Sequence, residues 1–550
     1  MTNSSSQLPR VELPGGKQRI SDTAAELGRL LADTGEFFRR GNAVVRLESR
    51  EDATPTLEVV KPPALPSEFE QVAQLEKSKT TKNGEASNPC AAICSESTAR
   101  TILHSRQFWE SLPPIRVISP CPVLIERDND LVEVTNYDRA SGILAFGDPV
   151  PEMDLVEAKH VLAEVLQEFH FSTAANRSRA MASLLTPALI FGGLLGGRAP
   201  VDLGEADKSQ GGKGYRNKLT AAVYRQKVTT VVQRKGSTGS LEETFSTALI
   251  QGKSFISFDN LRGKLDSPAI ESFMTEDIYF ARAPYTDNCE IDPRPVIVMM
   301  TSNRAEATVD QMNRSSCVEL IKKPPGFRFK RYPEGGDLLD HVRANQPRFL
   351  GAVFAVIREW HDQGKPRSDE TGHDFRPWVQ TLDWIVQELL EEAPLMDGHH
   401  ETQRRIANPA LTWLRTVALS IKDEGCMDEW LRASRVLEII AEDPEVEVPG
   451  ATDDSDLDDC AVRESLQRQL GIKLSRCFQT SPTATFEDLT VERRETTDEE
   501  GRPRKEYRVS RVAPHTPLKE PRMEPRGSRV PRGVDKHFSR ENVKTESNYV

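Results

Sequence analysis

The sequence is short of positive charge and of aromatic residues. Its 550 residues carry 72 Lys and Arg against 84 Asp and Glu, a net charge of −12, and only 6% of them are Phe, Trp or Tyr. A protein that coats nucleic acid through its overall charge is therefore excluded, and any such binding requires a local basic surface. The length allows about three or four domains, at least one of which can bury a full core.

Cysteines at metal-ligand spacing and an export signal are also missing. The 8 cysteines are scattered, and only Cys90 and Cys94 lie close together, so we expect no structural zinc. The first residues, MTNSSSQLPRVELPGG, lack the apolar centre of a secretion signal. Scattered thiols in such a chain indicate a cytoplasmic protein.

The stretch 180–197 has no charged residue and must be considered as a membrane span. It contains Pro187 and four glycines, so it is too weakly apolar for a span of its length. We interpret it as a buried helix, a break and a short core segment, and we expect no membrane partner.

Composition and periodicity divide the chain into segments. Strands and helices alternate between Pro200 and Gly351, which predicts a three-layer α/β core. Nine acids among the 18 residues from Glu442 to Asp459 indicate an exposed tether. The predicted segments are an N-terminal α+β region (1–150) with a polar linker at about 51–97, a helical pre-core segment (151–199), the α/β core (200–345), a helical region (346–441), an acidic linker (442–460), a helix and β-hairpin unit (461–512) and a disordered basic tail (513–550).

The N-terminal region is predicted to contain a helix and a strand between Ile20 and Val45, and a β-rich unit from Pro113 to Phe146. Two strands of this unit are joined by the sequence RDND. Asp128 and Asp130 resemble the paired acids of a metal-dependent polymerase, but their polar neighbours favour a solvated hairpin turn.

The most informative stretch is VDLGEADKSQGGKGYRNKLTAAVY, which orders a strand (201–206), a polar loop and a helix. A nucleoside triphosphate requires this order, because backbone N–H groups of the loop and the helix N-terminus then face its phosphates. The last loop residues are two glycines, which allow a close approach, and Lys213 would reach the β- and γ-phosphates. The predicted binding residues are Asp207, Lys208, Ser209, Gln210, Gly211, Gly212, Lys213 and Gly214.

This loop departs from the pattern G-x-x-x-x-G-K-[ST] at two positions. Asp207 replaces the first glycine, and Gly214 replaces the Ser or Thr that holds Mg²⁺. A glycine-rich surface turn is therefore the alternative, and the downstream sequence decides between the two.

Polar residues at later strand ends favour the nucleotide site. Asp259 and Asn260 follow the strand 255–258, Asn303 ends the apolar strand PVIVMMTS, and Arg314 precedes a further strand. Taken singly, each also fits a strand-end turn or a surface ion pair. In this order they are expected to bring a carboxylate from a neighbouring parallel strand close to the loop.

The segments DKSQGGKG, FISFDN, IVMMTSN and MNRSSCVEL resemble the nucleotide sites of AAA+ ATPases. The chain is most similar to the helicase module of phage and plasmid primase–helicases, which is grouped with superfamily 3 helicases. RRGNAVVRL, LPPIRVISPCPVLIE, NYDRASGILAF, LLTPALIF and GSLEETFSTALIQGKSFISFDNLRGKLDSP also resemble segments of these mobile-element proteins. The similarity spans roughly residues 20–390 and implies a P-loop AAA+ core.

The resemblance implies a role for each matching residue, with ATP and Mg²⁺ as cofactors. Lys213 would bind phosphate, Asp259 would coordinate Mg²⁺, and Asn303 would be the first sensor. Arg314 would be an arginine finger that reaches the nucleotide of an adjacent subunit. This implies a homo-hexameric ring with single-stranded DNA in its channel, and Arg282 lies in the hairpin that would line that channel.

Two residues depart from the family pattern in ways that affect hydrolysis. Gly214 has no hydroxyl group, so metal binding would depend more on Asp259 and water. Asn260 replaces the acid that usually activates water, and an amide can orient a water but cannot take its proton. The chain has no convincing primase half, so a separate primase or polymerase would supply priming.

The unit at 461–512 is predicted to be a helix followed by a basic-edged β-hairpin, the pattern of a winged helix, which often ends these primase–helicases. Basic residues on exposed hairpins are common, so a solvated surface is the alternative to DNA binding. The residues that could meet DNA phosphates are Arg463, Arg468, Lys473, Arg476, Arg493, Arg494, Arg502, Arg504 and Lys505.

These features predict an ATP-dependent DNA helicase or translocase of phage or plasmid replication type, which hydrolyses ATP between the subunits of a ring. Two alternatives stay open. One is an ATP-switched DNA-binding replication initiator or regulator with little or no hydrolysis, and the other is a catalytically dead scaffold that retains the fold.

Overall fold

The structure of the chain is a computed structural model. It describes residues 8–512 with the exception of 16, 49–53, 79–88, 207–210, 232–239, 260–263, 266, 283–287, 303–305, 308, 325, 407, 444–445, 452–458, 479–480, 487–488, 498–500 and 502. The predicted basic tail, 513–550, therefore lies outside the described residues.

The elements before the core form an N-terminal region of small sheets and helices. They are β1 (Arg10–Glu12), α1 (Ile20–Asp33), β2 (Phe37–Arg40), β3 (Ala43–Glu48), β4 (Thr56–Val59), a 3₁₀ turn (Pro62–Ala64), α2 (Leu65–Val72), β5 (Gln74–Lys77), β6 (Cys90–Ala91), α3 (Glu96–Leu103), α4 (Arg106–Ser111), β7 (Val117–Ser119), β8 (Val123–Arg127), β9 (Asp130–Val134), β10 (Tyr137–Asp138), β11 (Ile143–Ala145), α5 (Leu155–Leu166) and α6 (Ala174–Phe191). The sheets have the strand orders β1-β5-β6, β2-β3-β4 and β10-β11-β7, and β8 pairs with β9. The predicted first helix and strand and the β-rich unit are confirmed.

The turn between β8 and β9 is formed by Asp128 and Asn129, whose φ angles are +55° and +69°. Two consecutive left-handed residues are what a two-residue hairpin turn with the natural strand twist requires. Both residues are exposed, so the interpretation of RDND as a solvated hairpin turn is confirmed.

The prediction of a polar linker at about 51–97 is wrong for much of its described part, which contains β4, α2 and β5. Leu65 and Phe69 are fully buried and Leu75 is 4% exposed. The prolines of this stretch suggested a linker, but Pro66 stands in the first turn of α2, where a missing N–H group costs nothing. The structure of this stretch is therefore decided by its widely spaced buried apolar residues and not by its prolines.

The core is built on a parallel sheet of five strands. Its elements are β12 (Val201–Ala206), α7 (Lys213–Val223), β13 (Thr229–Val231), α8 (Leu241–Ile250), β14 (Phe255–Phe258), β15 (Lys264–Leu265), α9 (Pro268–Thr275), β16 (Tyr279–Ala281), β17 (Cys289–Ile291), β18 (Ile297–Ser302), β19 (Glu306–Ala307), α10 (Val309–Asn313) and β20 (Ser315–Leu320). The strand order is β13-β14-β18-β12-β20, and every neighbouring pair is parallel. The short strands β16 and β17 form a separate antiparallel hairpin.

Helices cover both faces of the five-stranded sheet. Apolar residues of α6 and α7 pack on one face, which includes Phe255 and Met299. Residues of α8 and α9 pack on the other face, which includes Ile256 and Val298. Odd and even strand positions thus enter different cores, which is why these strands are almost continuously apolar. The protein therefore has the predicted α/β core with a central parallel sheet.

The elements after the core form a helical region and a last mixed unit. They are α11 (Leu338–Ala344), α12 (Gln346–Asp362), α13 (Arg376–Trp384), a π-helical turn (Ile385–Leu389), α14 (His399–Ile406), α15 (Pro409–Asp423), β21 (Leu431–Arg432), α16 (Ala433–Glu442), α17 (Cys460–Cys477), β22 (Thr483–Thr485), β23 (Leu489–Thr497) and β24 (Pro503–Arg511). The last four strands form an antiparallel sheet in the order β21-β24-β23-β22. The predicted helix and hairpin after residue 460 are confirmed as α17, β23 and β24.

The predicted acidic tether is not exposed throughout its described part. Val446 is 7% exposed, and the indole of Trp413 donates a hydrogen bond of 2.9 Å to the Glu447 carbonyl oxygen. Val446 shares a hydrophobic cluster with α15, α16, α17 and the last sheet. Apolar residues between the acids anchor the segment to this cluster.

Within the apolar stretch 180–197, α6 continues through Pro187 to Phe191, and the break follows at Gly192 and Gly193. The Tyr224 hydroxyl group donates to the Leu184 carbonyl oxygen at 2.6 Å and accepts from the Ala188 N–H group at 3.2 Å. It thus bridges the two backbone groups that the proline ring forces apart. None of the helices in the described part of the chain is long and apolar enough to cross a membrane.

We expect Tyr224→Phe to lower the free energy of unfolding by about 2–4 kcal/mol, because two buried backbone groups lose their partner. Urea denaturation followed by circular dichroism measures the change. Tyr137→Phe is the matched control, since the Tyr137 hydroxyl group donates a single hydrogen bond, to the Pro114 carbonyl oxygen at 2.6 Å. Equal losses in the two variants would contradict the bridging role.

Candidate functional site

The carboxyl end of β12 is the place where this sheet is expected to bind a ligand. After β12 the chain forms the edge strand β13, and the next two core strands, β14 and β18, fill the positions between β13 and β12. The last strand, β20, then lies on the other side of β12. Such a reversal opens a crevice beyond the carboxyl ends of the strands, and open α/β sheets bind ligands there. The first turn of α7 borders this crevice.

Helix α7 lies directly against β12 at Gly204. A Cβ atom at Gly204 would lie 3.4 Å from the Lys213 Cβ atom and 3.6 Å from the Arg216 Nη2 atom. Lys213 and Arg216 are three positions apart, so both lie on the helix face that contacts the strand. Lys213 is thereby held above the carboxyl end of the sheet.

A buried ion pair fixes this helix against the strand. The Arg216 guanidinium group donates to both oxygens of the Asp202 carboxylate, at 3.0 and 2.5 Å, and the two residues are 1% and 6% exposed. Bidentate geometry is what allows such a pair to exist without water. Sequence reasoning missed this pair, although an Asp in a buried strand signals that it needs a partner.

The backbone at the start of α7 is suited to an anion. Gly212 is the residue before the helix and has φ +89°, a conformation that favours glycine. Because Gly212 carries no side chain, nothing from this position caps the first N–H groups of the helix. Gly211 and Gly214 are also described, whereas the predicted binding residues Asp207, Lys208, Ser209 and Gln210 lie outside the described residues.

Asp259 is connected to the Lys213 position through the sheet. The register pairs Gly204 of β12 with Thr301 of β18, and the Thr301 hydroxyl group donates a hydrogen bond to the Asp259 carboxylate. Side chains at paired positions point to the same face, so Lys213, Thr301 and Asp259 lie in one row above one face of the sheet.

Asp259 does not come from the strand next to β12, which is where the sequence placed it. It follows β14, and β18 lies between the two strands, which sets β12 and β14 about 10 Å apart. Asp259 is exposed, as a carboxylate that takes a cation from solvent must be. The other two predicted polar strand-end residues, Asn260 and Asn303, lie outside the described residues.

Arg314 and Arg282 are placed away from this row. Arg314 follows α10 directly and donates to the Asp310 carboxylate at 2.5 Å within its own chain. Arg282 is exposed and follows the last residue of β16 in the small hairpin. The structure therefore does not bring these two arginines together with Lys213.

A second set of buried charges lies on the other side of β12. Glu205 and its register partner Glu319 on β20 are each 1% exposed. Arg405 of α14 donates to Glu205, with Nη1 2.9 Å from Oε1, and Arg415 of α15 pairs with Glu319. These contacts tie the helical region to the strand that leads into the loop. Their arginines follow Glu205 by some 200 residues, so spacing in the sequence gave no signal.

A tyrosine next to Lys213 anchors the other end of the site. The Tyr215 hydroxyl group accepts a hydrogen bond from the Leu339 N–H group at 2.9 Å. Burial raises the pKa of Tyr215 well above its usual value, so the phenol stays neutral at physiological pH. It therefore serves as a fixed contact between α7 and α11.

Three of the residues of the last unit that were predicted to contact DNA are paired with acids. Arg463 pairs with Glu438, Lys473 with Glu447 at 3.0 Å, and Arg494 with Glu506 at 2.7 Å. Such exposed pairs reduce the charge that is available to phosphates.

The remaining predicted phosphate contacts of that unit differ in their surroundings. The Arg493 guanidinium group lies 5.8 Å from the Phe478 ring centroid, and the Lys505 ammonium group donates to the Ser475 hydroxyl group at 3.1 Å. Arg468 and Arg476 are exposed and form no ion pair within the described part of the chain. Arg504 is exposed as well, and Arg502 lies outside the described residues. A smaller basic surface therefore remains than the sequence suggests.

Comparisons with known proteins add little to this geometry. No protein-family model matches the chain, and no curated protein matches it. Among solved structures, it is similar to the apo A form of the NrS-1 C-terminal region, with 9% identity over 88% of this chain and 99% of that chain and a TM-score of 0.33. The active helicase Cch of SCCmec type IV has 11% identity over 70% of this chain and 75% of that chain, with a TM-score of 0.30.

A third similar structure is the JCV helicase bound to a small molecule, with 10% identity over 46% of this chain and 73% of that chain and a TM-score of 0.20. Two of these three structures are described as helicases. Their identities and TM-scores are too low to support a functional assignment, which therefore rests on the geometry of the site.

We expect Asp202→Ala to lower the free energy of unfolding by about 3–5 kcal/mol, because it leaves the Arg216 charge buried and unpaired. The double variant Asp202→Val/Arg216→Met should recover most of this loss, since it removes both charges. Glu110→Ala is the control, because its pair with Arg106 is exposed and should contribute about 1 kcal/mol or less. Denaturant unfolding measures all three; a double variant no more stable than Asp202→Ala would contradict the assignment.

Proposed function

We propose that this protein is an ATP-dependent DNA helicase or translocase of phage or plasmid replication type, which hydrolyses ATP with Mg²⁺ between the subunits of a homo-hexameric ring. The observation that carries the proposal is the row formed by Lys213, Thr301 and Asp259 at the carboxyl edge of the sheet. This row offers a cation for phosphate oxygens and a carboxylate for a metal ion, beside an uncapped helix N-terminus.

Each residue of the row has a different role in phosphoryl transfer. Lys213 and the first N–H groups of α7 hold the phosphates, and Asp259 holds the cation in an orientation set by the Thr301 hydroxyl group. Mg²⁺, when bound there, neutralises charge on the β- and γ-phosphates. Arg314 breaks its ion pair with Asp310 and then contacts the phosphate of the nucleotide in an adjacent subunit. DNA, single-stranded in the channel, contacts the Arg282 hairpin, and a separate primase or polymerase supplies priming.

A second candidate is an ATP-switched DNA-binding initiator or regulator with little hydrolysis. Gly214 favours it, because a glycine at this position offers no hydroxyl group to the metal ion. The last unit would contribute to DNA binding in either case as a winged helix, since α15, β21, α16, α17 and the β23–β24 hairpin share one core.

We expect Lys213→Ala to lower DNA-stimulated ATP turnover by about 10²–10³-fold, as loss of a preorganised phosphate-binding group does elsewhere. Lys218→Ala is the matched control, because Lys218 is an exposed lysine on the same helix and should leave turnover unchanged. Asp259→Asn should raise the Mg²⁺ concentration at half-maximal turnover. Steady-state phosphate release with and without single-stranded DNA measures each effect.

The outcome separates the candidates. A wild-type protein that assembles with ATP but shows negligible turnover supports the switch, and one that binds no nucleotide refutes both. In mixtures of wild-type and Lys213→Ala subunits, a helicase ring should lose activity more steeply than the wild-type fraction falls. Activity that falls only in proportion to that fraction would contradict the shared ring.

We expect Gly214→Thr to raise turnover and lower the Mg²⁺ requirement, because the added hydroxyl group can join the metal ligands. The site has room for it, since a Cβ atom at Gly214 has no neighbour within 4 Å. Gly214→Ala adds the same Cβ atom without the hydroxyl group and is the matched control. If the Thr and Ala variants hydrolyse ATP alike, metal coordination at this position is not limiting.

A further inference from the structure

The N-terminal region contains two adjoining cavities that the nucleotide site does not use. One has a volume of about 530 Å³ and lies between β3, β4, α3 and the start of β17. The other has a volume of about 330 Å³ and lies between the end of β2, α4 and the segment before β7. The Trp109 side chain lines both cavities, and we call the two together the Trp109 cleft.

The Trp109 cleft is basic in a protein that is acidic overall. No Asp or Glu is among the described residues that line it, whereas the whole chain has a net charge of −12. The basic residues that line it are Arg39, Lys61, Arg100, His104 and Arg116. Such a local surface attracts anions, and its walls reduce screening by solvent.

Two of these cations, Arg39 and Lys61, form no ion pair with an acid in the described part of the chain. Arg100 pairs with Glu96, but this pair is exposed and 3.4 Å long, so it competes weakly with a phosphate. These three cations are therefore available to a ligand, whereas Arg116 donates to two backbone carbonyl oxygens.

The centre of the cleft provides a stacking surface. The Arg39 guanidinium group lies 4.3 Å from the centroid of the Trp109 ring. The indole N–H group of Trp109 is buried and has no acceptor among the residues that the structure describes. Stacked aromatic and guanidinium planes bind nucleobases without regard to sequence, and adjacent cations follow the phosphate backbone.

The cleft adjoins the hairpin that carries Arg282. The Asn42 side chain donates to the Asn288 carbonyl oxygen at 3.0 Å and accepts from the Glu290 N–H group at 3.1 Å, which joins the N-terminal sheet to β17. The hairpin register pairs Ala281 with Cys289. Arg282 follows Ala281 directly and Asn288 precedes Cys289 directly, and Asn288 lines the cleft.

We propose that the Trp109 cleft binds single-stranded DNA, with a base stacked on the Trp109–Arg39 pair and phosphates at the surrounding cations. This contact is independent of the nucleotide site and requires no ATP. It extends the proposed function, because the strand held in the cleft leads to the Arg282 hairpin. The ligand is a polyanion with planar bases, which distinguishes it from an acidic peptide.

Photo-crosslinking of the full chain to a 5-iodouracil oligonucleotide, without ATP, tests the site directly. We expect the crosslinked peptide to contain Trp109, because the excited base reacts with the aromatic ring on which it stacks. A crosslink confined to the last unit or to α7 would overturn the proposal. The result is independent of the DNA affinity of other surfaces on the chain.

Fluorescence anisotropy with a labelled oligo(dT) measures how much the Trp109 cleft contributes to the affinity for DNA. We expect Trp109→Leu to weaken binding by about 5- to 150-fold through the lost stack, and Trp109→Phe to retain most of the affinity. Arg39→Gln should reduce the slope of log affinity against log salt by about 0.7. Arg106→Gln is the matched control, since Arg106 lies on the same helix and is paired with Glu110.

Two further binding measurements distinguish DNA binding at the Trp109 cleft from the proposed ATPase activity. Lys213→Ala should bind oligo(dT) like the wild type, and a loss in that variant would place the DNA at the nucleotide site and overturn the proposal. Poly-glutamate should displace the oligonucleotide only weakly. If it competes as well as oligo(dT), charge alone accounts for binding and the stacked base is refuted. Circular dichroism confirms that each variant is folded.

Discussion

The candidate site depends on how closely α7 approaches β12. The buried pair between Asp202 and Arg216 sets this distance, because each charge lies almost out of reach of water and must keep its partner. Gly204 lies at this contact, where a Cβ atom would be 3.4 Å from the Lys213 Cβ atom. Lys213 lies one turn before Arg216 on the same helix face. A structural ion pair thus positions the lysine that we propose binds phosphate.

The strand β12 carries buried charges on both of its faces. Asp202 faces α7, whereas Glu205 faces the helical region and pairs with Arg405. Neither carboxylate can leave its arginine without exposing an uncompensated charge to an apolar environment. The two ion pairs therefore fix β12 to α7 on one face and to α14 on the other.

Much of the core could be predicted because strands and helices alternate along the sequence and because β14 and β18 are strongly apolar. The limits of the strand 255–258 matched the structure, and 201–206 did so as well. The order of the strands could not be predicted, since it is set by long-range packing, and so Asp259 was expected one strand too close to the loop. The extent of α6 beyond Pro187 could not be predicted, because the hydroxyl group that bridges its backbone comes from Tyr224, the residue after α7. Contacts between residues that are far apart in the sequence produce no spacing pattern that could be recognised.

The same limit applies to charge. A count of basic residues pointed to the last unit as the DNA-binding surface, yet cross-strand and helix contacts pair Arg494 and Lys473 with acids. In the Trp109 cleft, fewer cations converge from four separate elements, and among the described residues no carboxylate lines the cavity. The potential that a polyanion meets depends on the charge left after pairing and on how far water is excluded. For an acidic protein, cations in a concave site that no acid neutralises therefore attract a polyanion more strongly than exposed basic side chains that are already paired with acids.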